Sequence, residues 1–175
     1  MVQQNYITNY CQGHVTPWWS DDFKNLDYTY YQLANIEDIK RWESDYGNRL
    51  TYNGGVYNMT NVMPDYAQPF FKLMPWKNVG ISFFRLLTCE ALPLHSDHYS
   101  KYRDILKIDD PKKIWRCIVF LDDWKSGHYM EVGGQAIVNW RRGDFVYWNN
   151  DTPHYSGNFG TEARYTMQIT GTVDV

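Results

Sequence analysis

WRCIVFLDDWKSGHYMEVGGQAIVNWRRGDFVYW, residues 115–148, is the stretch that decides the fold. It is a chain of short β-rich runs, Trp115–Leu121, His128–Val132, Gln135–Trp140 and Asp144–Trp148. Turn signals separate them: Lys125-Ser126-Gly127, Gly133-Gly134 and Arg142-Gly143-Asp144. β-Branched and aromatic side chains suit a pleated, half-buried surface, and glycine pairs suit tight reversals. The same texture extends in both directions. Ile81–Thr88 and Leu92–Asp97 precede the stretch and Ala163–Thr172 follows it, with breaks at Asp109-Asp110-Pro111 and Asp151-Thr152-Pro153. Strands at roughly 8–12-residue spacing predict a β-sandwich or barrel. A short helix is expected at Tyr99–Leu106.

Residues 1–79 read differently. A helix is expected from about Asn35 to Tyr46, with Asn35 as N-cap, Glu37 and Asp38 in the first turn, and Gly47 as the stop. Ile36, Ile39, Trp42 and Tyr46 give it one apolar face. Trp18–Phe23 suits a short helix, and another is expected between Pro64 and Pro75. Asn53-Gly54-Gly55 reads as a turn before a strand at Val56–Met59. The expected whole is mainly β with N-terminal helices, a jelly roll buttressed by them. One domain spans 1–175, with a helical and aromatic supporting region at 1–79 and the jelly-roll core at 80–172.

Composition narrows the function. A chain of 175 residues has room for one substantial core. It is 43% hydrophobic and 21% charged, which is globular and not disordered. The 18% aromatic content suits sheets and pocket walls. A net charge of −3 disfavours a general nucleic-acid binder. The N-terminus MVQQNYITNY has no basic-then-apolar leader pattern. The apolar stretch Cys117–Leu121 is far short of the roughly 20 residues of a membrane span. Cys11, Cys89 and Cys117 form no CxxC, so free thiols and a cytoplasmic location are expected.

Five histidines carry the chemical signal. His95-Ser96-Asp97 places an imidazole and a carboxylate on one face of an extended strand. His154, after Thr152-Pro153, is the best third ligand. Two His and one carboxylate make the facial triad of non-haem Fe(II) oxygenases, with positions left for substrate and O₂. Taken alone, a His-x-Asp is more often plain polarity. Arg164 stands ten residues beyond His154, with Thr166 on the same strand face. A guanidinium beside a hydroxyl is a carboxylate receptor. The bland alternative is an exposed arginine paired with Glu162.

The order His95-x-Asp97, His154, Arg164-x-Thr166 resembles the Fe(II)/2-oxoglutarate-dependent dioxygenases, and the flanking segments resemble their prolyl-hydroxylase branch. The resemblance runs through Leu121-Asp122-Asp123-Trp124, Gly133-Gly134, Gly143-Asp144 to Trp148, Pro153-His154 and Arg164-Tyr165, and covers about residues 80–172. Cys89-Glu90-Ala91 stands where many prolyl hydroxylases have a glycine, and Val119 and Phe120 where a tyrosine is common. Trp115-Arg116-Cys117 resembles a strand of the aspartyl/asparaginyl β-hydroxylases, so the subfamily stays open. The resemblance implies a double-stranded β-helix of cupin type. It implies Fe(II) on His95, Asp97 and His154, and 2-oxoglutarate bound through Arg164 and Thr166, with O₂ as oxidant and ascorbate as possible support. Arg116 is a candidate second carboxylate partner, for cosubstrate or substrate, and Tyr102 a candidate pocket residue. The expected partners are this small-molecule cosubstrate and a protein, peptide or small-molecule prime substrate, with no membrane.

Two other classes stay open on the residues alone. One is a non-catalytic, aromatic-rich binding module, which would tolerate alanine at His95, Asp97, His154 and Arg164. The other is a cupin-type metal enzyme without 2-oxoglutarate; such enzymes more often present three histidines and lack an arginine ten residues on, so Arg164 separates the two readings.

Overall fold

The computed structural model describes residues 10–30, 55–57, 62–149 and 151–173, with Lys40, Glu43 and Ser44. Eleven strands are seen among them: β1 (Tyr10–His14), β2 (Thr29–Tyr30), β3 (Gly55–Tyr57), β4 (Lys77–Leu86), β5 (Glu90–His95), β6 (Ile114–Phe120), β7 (His128–Val132), β8 (Gln135–Ile137), β9 (Asp144–Asn149), β10 (His154–Asn158) and β11 (Arg164–Thr172). They form two antiparallel sheets. The larger has the order β1-β9-β6-β11-β4-β3-β2 and the smaller β5-β10-β7-β8. This is the expected jelly roll.

The central strands of the larger sheet are buried on both faces, so they read as apolar runs rather than alternating ones. On β6, Cys117 and Val119 join Phe83, Met167 and Ile169 in a core on one side. Trp19, Phe23 and Phe70 close that core from the N-terminal region. Ile118 and Phe120 point the other way, towards Met130, Val132, Trp140 and Trp148 between the sheets. The inner layer is where the polar exceptions collect.

Turn chemistry sets the registers. β7 and β8 pair from Val132↔Gln135 outward. Gly133 and Gly134 alone lie between them, with φ of 57° and 79°. Two positive φ values make a type I′ hairpin, whose twist matches that of its strands. A 3-10 helix at Asp65–Lys72 fills the interval between Pro64 and Pro75, and another at Asp22–Asn25 follows the tryptophan pair. The helix α1 covers Ser100–Leu106. The expected helix Asn35–Tyr46 lies mostly outside the described residues.

The N-terminal region also contributes strands: β3 falls on the expected run that begins at Val56, whereas the polar sequence did not announce β1 or β2. β1 pairs with β9, and β2 and β3 extend the sheet beyond β4. Arg142 departs from the solvated turn its sequence suggests. Its NH1 meets Asp21 at 2.6 Å, its NH2 donates to the Trp19 carbonyl, and its guanidinium lies 5.7 Å from the Trp19 ring centre. The residue ties the N-terminal cover to the β8–β9 turn. Among the described residues, no helix is long and apolar enough to cross a membrane.

Candidate metal centre

The smaller sheet brings the two histidines together. β5 and β10 are antiparallel neighbours, and His154 is the direct cross-strand partner of His95. Their ring centres are 4.2 Å apart. Asp97 lies just past the end of β5, not on an extended strand as the sequence suggests. Its carboxylate still reaches the pair. Oδ1 is 3.8 Å from His95 Nε2 and Oδ2 is 3.6 Å from His154 Nε2. Ligand atoms from all three lie within 4.8 Å of one another.

The fit to a divalent ion is tested by what holds each donor. His95 Nδ1 lies 2.7 Å from the Pro93 carbonyl, and His154 Nδ1 lies 3.0 Å from the Thr152 carbonyl. A carbonyl oxygen only accepts, so each Nδ1 carries the proton and each Nε2 turns a lone pair towards Asp97. Such carbonyl partners commonly orient metal-bound histidines. The Nε2 to Oδ separations are too long for hydrogen bonds. They suit donors that converge on a cation, with bonds of about 2.1 Å.

The electrostatics agree. Burial pushes the His154 pKa down to about 3, helped by neighbouring His95, and burial also lowers that of His95. Both therefore stay neutral, as ligands must. Burial alone would raise the Asp97 carboxyl, but the Arg116 guanidinium outweighs it, helped by the Tyr99 hydroxyl, and holds it well below the usual carboxylate range. Arg116 NH2 lies 3.1 Å from Asp97 Oδ2, and Tyr99 donates its hydroxyl to the same oxygen at 2.8 Å.

The cluster opens into a cavity of about 250 Å³ between the sheets. Arg164 and Thr166 line it from β11, on one strand face as expected, and Gln168 continues that face. Arg164 is only 4% exposed. Its NH1 donates to Ser156 Oγ and to the Tyr129 carbonyl at 3.3 Å. Its Nε has no hydrogen-bond partner. Among the described residues no carboxylate pairs with it, and burial pushes its pKa down to about 9. Glu162, its bland partner, lies instead 4.0 Å from Lys125. A buried guanidinium without a counter-charge is costly unless an anion arrives.

His154 and Ser156 stand two residues apart on one face of β10, so the metal donor and the hydroxyl that holds Arg164 line the same cavity. Phe84, Leu92, Ile118, Met130 and Trp148 supply the apolar part of the wall.

The remaining candidates fall on both sides. Arg116 lines the cavity beside Asp97. Tyr102 is not brought there. Its hydroxyl, on α1, donates instead to the Asn78 carbonyl at the start of β4. His128 is held by the Glu162 carbonyl at 2.9 Å. Asn158 braces the β10 turn through the carbonyls of Leu86 and Glu162. His14 meets Asp144 at 2.7 Å, away from the cluster. On sequence alone Tyr99, just after the ligand strand, reads more simply as packing than as a pocket residue, and Ser156 and Gln168 were passed over. A period-2 rule run on from His154 and Thr166 would have found the last two.

No family profile and no curated protein matches the sequence. Solved structures do match in shape. A prolyl-4-hydroxylase from Pseudomonas putida superposes with a TM-score of 0.59 at 11% identity, covering 97% of this chain and 95% of that one. A cupin domain from Schizosaccharomyces pombe matches with a TM-score of 0.44 at 10% identity, over 72% of this chain and 69% of that one. A cupin protein from Bacteroides fragilis gives 0.39 at 14%, over 54% and 66%. At such identity the likeness to the hydroxylase is one of fold. The chain is a jelly roll, with a His-Asp-His cluster and a buried arginine facing one cavity.

Proposed function

We propose that this chain is an Fe(II)- and 2-oxoglutarate-dependent oxygenase that hydroxylates a C–H bond of a protein side chain or small molecule. The observation that carries it is Arg164, a buried guanidinium without a carboxylate partner among the described residues, in the same cavity as three convergent metal donors. A metal enzyme that bound no anion there would bear the cost of that charge for no return.

The donor set of two imidazoles and one carboxylate fits Fe(II). His95 and His154 would hold the ion through Nε2 and Asp97 through its carboxylate. Bound there, iron supplies the one-electron and O₂ chemistry that side chains lack. The chain's own residues do the rest. Arg164 takes the distal carboxylate of 2-oxoglutarate with charge-assisted hydrogen bonds, and the Thr166 hydroxyl adds a donor. Ser156 and the Tyr129 carbonyl keep the guanidinium in place before the cosubstrate binds. The apolar wall excludes water, which strengthens each of these contacts. In the overall reaction one oxygen atom of O₂ enters the C–H bond. The other enters succinate as 2-oxoglutarate loses CO₂.

The test is succinate formation by protein reconstituted anaerobically with Fe(II), then given 2-oxoglutarate, O₂ and ascorbate. Slow uncoupled turnover is expected, abolished in His154→Ala and strongly reduced in Arg164→Ala. Turnover unaffected by Arg164→Ala would refute the assignment of the cosubstrate site.

A further inference from the structure

The two histidines are aimed by backbone carbonyls, but Asp97 has no such support. β5 ends at His95, so Asp97 stands in the connection to α1, where no strand ladder fixes it. Two side chains take over. Tyr99 Oη donates to Asp97 Oδ2 at 2.8 Å, and Arg116 NH2 lies 3.1 Å from the same oxygen. Both come from fixed positions. Arg116 Nε meets Tyr99 Oη at 3.2 Å, and its NH1 donates to Gln168 Oε1 at 2.7 Å. Its guanidinium carbon lies 5.1 Å from the centre of the Tyr99 ring.

The backbone of Tyr99 is unusual in the same place. Its φ of 51° and ψ of 30° lie in the left-handed region, which bulky residues seldom adopt. Such conformations persist where the surroundings over-determine them, and they cluster at functional sites. Here the turn carries the Tyr99 hydroxyl back to the carboxylate two residues earlier.

We propose that Tyr99 is a positioning residue for the metal centre. With Arg116 it engages Oδ2 of Asp97, so that Oδ1 is the oxygen presented to the ion. This rests on the metal-binding part of the proposed function and is independent of the cosubstrate. Tyr99 touches no metal donor but Asp97 and acts through it. Removing a hydrogen-bond partner of a metal ligand commonly weakens metal affinity about 10–100-fold.

The test is an anaerobic titration of the full chain with Co(II), read by its visible absorption, for wild type, Tyr99→Phe and Tyr102→Phe. Tyr99→Phe keeps the ring and removes only the hydroxyl. Its dissociation constant is expected to rise about 10–100-fold, with an altered cobalt spectrum and an unfolding midpoint of the metal-free protein close to wild type. Tyr102→Phe, whose hydroxyl serves the same helix elsewhere, is expected to bind cobalt as wild type does. An unchanged affinity and spectrum in Tyr99→Phe would overturn the proposal. Equal losses in both variants would do so too, by showing a general loosening of α1. A wild type that binds cobalt but not 2-oxoglutarate would remove the oxygenase assignment and leave this role standing. One that binds no cobalt would remove both.

Discussion

Arg164→Met exchanges the buried guanidinium for an apolar side chain of similar reach. Burial pushes the Arg164 pKa down to about 9, against an ordinary arginine value near 12.5. At about 1.36 kcal/mol per pKa unit, holding the charge inside the fold costs ~5 kcal/mol. The substitution removes that cost. It also leaves the Ser156 hydroxyl and the Tyr129 carbonyl without this donor and removes the guanidinium from beside the Phe120 and Trp140 rings, a loss of about 3 kcal/mol together. The net expectation is a metal-free protein more stable by about 2 kcal/mol, within the range seen when buried charges are replaced by apolar groups. For a chain of this size the melting temperature should rise by about 4–8 °C. The assay is urea and thermal unfolding with a chelator present, repeated with Fe(II) and 2-oxoglutarate under anaerobic conditions. The ligands should stabilise wild type by mass action and leave Arg164→Met without the cosubstrate's share. A variant less stable than wild type in the metal-free assay would refute the reasoning. It would mean that the guanidinium is already satisfied and awaits no anion.

Three further outcomes follow from the same geometry. His95 and His154 both have folded-state pKa values below that of free histidine. As pH falls below about 6.5 the unfolded chain takes up protons first, so the metal-free protein loses stability by up to ~1.4 kcal/mol per pH unit per histidine. His154→Asn should reduce that slope by one proton, as read from urea unfolding between about pH 6.5 and about pH 4 and compared with wild type. Phe83→Ala empties a fully buried position beneath Tyr66 on the outer face of β4. It should cost about 3–5 kcal/mol in urea unfolding. Tyr102→Phe loses one hydrogen bond to the Asn78 carbonyl, so calorimetry should find unchanged 2-oxoglutarate affinity and unfolding a loss of about 0.5–1.5 kcal/mol.

The sequence was most legible where local signals and tertiary demands agree. From Ile114 to Thr172 the apolar runs, glycine turns and breaks matched the strands closely, and Gly133-Gly134 fixed a hairpin outright. β10 was not announced, because His-Tyr-Ser-Gly-Asn faces the cavity and carries polar groups where a core strand would carry apolar ones. β1 escaped for a different reason: Tyr-Cys-Gln-Gly-His lies at a sheet edge with little apolar alternation. The candidate ligands were legible by type and spacing. Their meeting was not, since the His95↔His154 pairing is a long-range register. Nor was the support of Asp97, which depends on a left-handed turn at Tyr99 that no residue preference signals.

The most direct measurement is anaerobic absorption spectroscopy of the Fe(II)-loaded protein titrated with 2-oxoglutarate, on wild type and Arg164→Met. The visible metal-to-ligand charge-transfer band should appear and saturate in wild type, with half-saturation moved to much higher concentration in Arg164→Met. No band in wild type at saturating iron and 2-oxoglutarate would contradict the assignment of this cavity as a joint metal and cosubstrate site.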